Sequence, residues 1–66
     1  MKLKYPNLQK AMRERKVTVG DLSRVTGVSE EIIYLKLQGI REWSILEATA
    51  ICRYLQYPDL KTLFLR

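Results

Sequence analysis

Sixty-six residues leave room for one hydrophobic core, so a single domain over residues 1–66, held by helical packing, is the expectation. An apolar share of 47% excludes a disordered chain, and with no histidine and one cysteine there is neither a zinc ligand set nor an internal disulfide. No apolar run is long enough to span a bilayer and the start MKLKYPN lacks the apolar stretch of a signal peptide, which points to a small cytoplasmic all-α domain without a cofactor.

The formal net charge of +5 suggests a polyanionic partner, and its distribution is uneven. Residues 1–16 hold Lys2, Lys4, Lys10, Arg13, Arg15 and Lys16 against Glu14 alone, whereas residues 17–66 are neutral. Two readings stand side by side: a solvated face, or an arm and first helix that grip phosphates. Pro6 suits the first turn of a helix, where its missing N–H is not needed. Leu8, Ala11 and Met12 then give an i, i+3, i+4 stripe through Asn7–Arg15 that packs inward. Lys16-Val17 turns the chain, with Val17 as a core plug.

The stretch from Thr18 to Gly39, TVGDLSRVTGVSEEIIYLKLQG, reads as two short helices about a tight turn. Thr18 and Asp21 have the spacing of a capping box, and Leu22 and Val25 give the first helix its buried stripe. Gly27 falls where a helix C-terminus calls for a left-handed residue, Val28 plugs the core, and Ser29 caps the second helix. Ile33 and Leu37, four apart, face inward together, and Gly39 closes that helix. Helix, glycine turn, helix is the helix-turn-helix layout.

Beyond Gly39, Ser44 and Glu47 form a second capping box, with Trp43 placed to staple onto Ala48. The helix they open should run from Ile45 to about Gln56 and bury Ile45, Ala48, Ile51, Cys52 and Leu55. Cys52 in that stripe reads as a small buried apolar residue rather than a reactive thiol. Tyr57-Pro58-Asp59 breaks the helix, and Asp59 caps a last one through Leu65, with Leu60, Leu63 and Phe64 on its apolar side. Catalysis is not expected. There is no glycine-rich phosphate loop and no nucleophile with a base beside it, and Glu30 and Glu31 diverge by about 100° on a helix.

Leu22-Ser23, Gly27-Val28-Ser29, Ile33 and Gln38-Gly39 together resemble the phage repressor and Cro-like helix-turn-helix family (lambda repressor-like, XRE-type). The resemblance implies a compact five-helix, all-α lambda repressor-like domain and a sequence-specific transcriptional regulator of bacterial or phage type. It places the helix Ser29–Gln38 in the major groove of double-stranded DNA, on two half-sites if the protein is a homodimer. Leu65 of the last helix is one candidate for the dimer surface. On this resemblance Glu30, Glu31, Tyr34 and Leu35 are the candidates for base contact. Thr18, Ser29, Lys36 and Gln38, with Lys2, Lys4 and Lys10, are those for phosphate contact.

The chain departs from the family in two places. Val19 stands where the family often has a phosphate-binding glutamine. Glu30 and Glu31 stand where it often has Gln, Arg or Ser. A glutamate can accept from cytosine N4, or it can simply complement the helix N-terminus. Ile32, Tyr34 and Leu35 can likewise form an apolar patch for a protein partner, so a helix-turn-helix turned to protein binding is the alternative.

Overall fold

Each helix begins at a group that satisfies or removes its first free N–H. A computed structural model describes residues 4–66 and contains α1 (Pro6–Glu14), α2 (Val19–Thr26), α3 (Glu30–Leu37), α4 (Ile45–Tyr54) and α5 (Leu60–Leu63). No strand occurs among the described residues. Pro6 opens α1 at its first position. Thr18 Oγ1 accepts the Asp21 N–H at 3.2 Å, and the Asp21 carboxylate accepts the Thr18 N–H at 3.0 Å. Ser44 and Glu47 make the same reciprocal pair at 3.1 and 3.0 Å. Ser29 and Asp59 cap α3 and α5.

Three helix ends, those of α1, α3 and α4, share one device that a glycine signals only once. Past α3, the Ile40 N–H reaches Leu35 O at 3.0 Å and the Gly39 N–H reaches Lys36 O at 3.1 Å, with Gly39 left-handed at φ 81°. The same hydrogen-bond pair closes α1 about Lys16, at φ 55°, and α4 about Gln56, at φ 54°. Those two L-residues carry strain that glycine would not. Gln56 therefore lies outside α4, two residues past its last helical residue, Tyr54.

The core takes a fully buried aliphatic from every helix or its cap: Leu8, Leu22, Ile33, Ile51, Leu55 and Leu63. Each such burial contributes about 1.5–3 kcal/mol before the entropy of ordering is counted. Val17, Val28, Leu37 and Cys52 pack half-buried around them, and the Cys52 thiol donates to Tyr57 O at 3.2 Å. At one end Tyr5, Trp43 and Phe64 meet edge to face, with ring centroids 5.5–6.4 Å apart. Arg66 donates to the Tyr5 hydroxyl at 2.8 and 3.1 Å and lies over its ring.

Two apolar expectations are corrected here. Ile45 is 75% exposed rather than buried, because the three rings already fill the core at the start of α4. Leu65 lies outside α5, which stops at Leu63, and is 60% exposed. Trp43 joins the aromatic cluster and lines a surface groove together with Ala48.

The two left-handed glycines differ in surroundings. A Cβ at Gly27 meets open space, whereas one at Gly39 falls 3.1 Å from Lys4 Cγ. Gly27→Ala is expected to lose about 1 kcal/mol and Gly39→Ala more, while Gln56→Gly gains up to about 1 kcal/mol. Urea melts of the three variants check this order, and an unchanged midpoint for Gly27→Ala contradicts it.

Candidate nucleic-acid interface

The angle between α2 and α3 is set by short side chains around Gly27, whose φ is 75°. Its N–H reaches Ser23 O at 2.8 Å, and the Ser23 hydroxyl donates to Val28 O at 2.6 Å. The Thr26 hydroxyl donates to Leu22 O at 2.8 Å and accepts the Val28 N–H at 3.2 Å. Ser23 and Thr26 thus brace the turn in a way that a residue pattern read helix by helix does not show.

With Ile33 and Lys36 buried, α3 turns Glu31, Tyr34 and Gln38 outward, with Leu35 half-buried between them. These residues follow the i, i+3/i+4, i+7 spacing of a single helix face. Glu30 is exposed but reaches back. Its Oε2 lies 3.5 Å from the place a Cβ would take on Gly20, against the first turn of α2. That is the positive end of the α2 dipole, where a carboxylate is favourable. The Thr18 and Ser29 hydroxyls each accept a backbone N–H as caps and keep their own hydrogen to donate.

Lys36 is the clearest departure from expectation. Instead of facing outward, its side chain is 10% exposed and its ammonium donates to the Glu47 carboxylate of α4, 5.7 Å from the Trp43 ring centre. It is not placed for a phosphate, because the acceptor on α4 and the indole face draw it inward. Burial pushes the Glu47 carboxyl up, but hydrogen bonds from Lys36 and the Ser44 N–H more than offset this and hold it below its ordinary value. Asp21 is likewise held low, first by the Thr18 N–H and then by Arg24, which pairs with it.

Among the basic residues of the first segment, Lys4 lies with its stem against Gly39, beside the end of α3. Lys10 is exposed on α1 and does not line the groove beside α3. Lys2 falls outside the described residues. Two cations that were not singled out are better placed. Arg13 and Lys16 border a groove of about 550 Å³ whose other walls include Thr18, Val19, Tyr34 and Gln38. Neither has an ion-pair partner among the described residues. Arg13 lies four residues from Gln9 on α1, and the left-handed turn at Lys16 brings that lysine to the same groove.

A bent pair of short helices, a second helix with an outward polar and aromatic stripe, and free cations beside it define a helix-turn-helix surface. Residues 7–63 match the family described as the Cro/C1-type HTH DNA-binding domain. The chain belongs to this family. No curated protein and no solved structure gives a significant match. The Cro/C1-type assignment makes the chain a DNA-binding domain in general terms.

The Lys36–Glu47 pair gives an acid-side test. Because the Glu47 pKa is lower folded than unfolded, the stability it contributes is present above the ordinary carboxylate range and is lost as pH falls through that range and below. Melting temperature should therefore fall from about pH 5 downward, and Glu47→Gln should cost about 1–3 kcal/mol at neutral pH and make that fall shallower. Thermal melts of both proteins across pH decide it, and parallel profiles would contradict the role of Glu47.

Proposed function

We propose that the protein is a sequence-specific double-stranded DNA-binding transcriptional regulator of bacterial or phage type. The observation that carries this is the outward α3 stripe lying beside Arg13 and Lys16, which no carboxylate engages among the described residues. Glu31, Tyr34 and Leu35 are the base-facing residues. Glu30, turned toward α2, serves mainly to complement that helix's N-terminus. Arg13, Lys16, Lys4 and Gln38, with the Thr18 and Ser29 hydroxyls, contact phosphates, and Lys10 adds longer-range attraction. Ile45 and Leu65, 75% and 60% exposed, line a second groove of about 400 Å³ with Trp43 and Phe64. That face is the proposed contact of a homodimer whose two recognition helices read half-sites one helical turn apart.

A second reading has one observation in its favour. With Lys36 turned inward, α3 offers two carboxylates and no free cation along its outer face. A protein partner meeting Glu31, Ile32, Tyr34 and Leu35 is the alternative.

Salt separates the two. Selection from genomic fragments, followed by anisotropy on the enriched duplex, should give log K falling with log salt at about −0.9 per phosphate contacted. Arg13→Gln and Lys16→Gln should each reduce the magnitude of that slope by about 1 and weaken all sequences alike, while Leu35→Ala changes which fragments are enriched. Weak, unselective binding that vanishes at physiological salt would move the assignment to the protein partner.

A further inference from the structure

We propose that the groove between α1, α2 and α3 is a binding site for a small organic anion with an apolar body, and that its occupant excludes DNA. Phosphate contact uses the rim of this groove, Arg13 and Lys16, and leaves its floor unexplained. Met12, Val17, Val19, Tyr34 and Leu37 are among its lining residues and give it an apolar wall. Three of these aliphatics, Val17, Val19 and Leu37, are half-buried and packed on the core, so the floor is fixed rather than loose. A sugar-phosphate backbone gains nothing from such a surface, whereas an alkyl or aryl chain does. Its volume, about 550 Å³, lies within the range of small-molecule sites, and an apolar wall with a few charged groups at one edge is their usual chemistry.

Two features of the sequence find a use here. Val19, at the position where the resembling family often has glutamine, supplies apolar floor in place of an amide. Lys16, held left-handed at φ 55°, stands on the rim with Arg13 and without an acidic partner among the described residues. An acidic head meets the two cations while the chain lies on the floor. Tyr34 and Gln38 of the recognition helix and the Thr18 cap also line the groove, so a bound molecule stands where the duplex edge would pass. This exclusion rests on the DNA-binding reading, but the site itself does not.

Octanoate and octanol, equal in chain and different in charge, are the probes. Methyl and amide NMR of the full chain should show saturable octanoate shifts confined to Met12, Val17, Val19, Leu37 and Tyr34, with octanol at least about tenfold weaker. The Arg13→Gln/Lys16→Gln variant should lose a similar factor. Val19→Gln, which fills the floor with an amide, should lose octanoate binding while keeping a native amide spectrum. Non-saturating shifts, equal binding of octanol, or shifts centred on Ile45 and Leu65 would overturn the site. Saturating octanoate should weaken the selected duplex in the parent protein and not in Val19→Gln, and an unchanged duplex affinity would overturn the exclusion. If no duplex is bound at all, the DNA reading and the exclusion fall together, and the methyl mapping still decides the groove.

Discussion

The carboxylate of Glu47 holds two elements at once. It accepts the Ser44 N–H, which fixes the start of α4, and the Lys36 ammonium, which fixes the last turn of α3. Lys36 in turn lies near Trp43, Trp43 meets Tyr5 and Phe64, and Arg66 joins the Tyr5 hydroxyl to Glu42 at 3.0 Å. The rotational setting of the recognition helix is thereby tied to both ends of the described chain. A methionine at position 36 would bury more cheaply, since an ion pair removed from water recovers little net free energy. What the pair adds is direction. An ammonium with one acceptor has a single good position, whereas an apolar chain has several.

That choice has an electrostatic consequence. Turning Lys36 inward leaves α3 with Glu30 and Glu31 as its only other charges, so the recognition helix opposes a polyanion by itself. The compensation comes from residues 1–16, where the whole net charge resides. Glu30 softens the conflict by leaning onto the first turn of α2, where its charge meets the helix dipole instead of the outer surface. On the proposed DNA-binding reading, attraction and reading are divided between elements: the basic residues 1–16 supply field, and α3 supplies shape and hydrogen-bonding groups.

What was legible in the sequence was local. The two capping boxes, Pro6 at the head of α1, Gly27 in the turn and the Asp59 cap each depend on residues within four positions, and all five helices follow from them. What was illegible depended on distant partners. Periodicity put Ile45 inside, but Tyr5 and Phe64, far away in the chain, already fill that end of the core. Lys36 sits at a helix end where a lysine is ordinarily solvated, and only the arrival of Glu47 from α4 turns it inward. The left-handed closures at Lys16 and Gln56 were hidden because the residue type argues against them, although paired backbone hydrogen bonds close both turns. Arg13 and Lys16 were counted as charge and not as site residues, since the groove they border needs three helices to exist.

The groove shares Tyr34, Gln38 and the Thr18 cap with the proposed DNA-facing stripe, so the two proposed occupants would compete for one surface. Linkage requires that a ligand lowering the affinity for DNA be itself weakened by DNA to the same factor. In a two-domain repressor that factor is limited by the conformational difference between two states. Here the overlap is steric, so the factor is bounded only by how far the two occupants' volumes coincide. On that proposal, binding can be coupled to response without a second stable conformation, provided the apolar floor stays open. Val19 is the residue on which this turns. Its aliphatic surface is of no use to a phosphate, and an amide in its place would favour the duplex and close the floor.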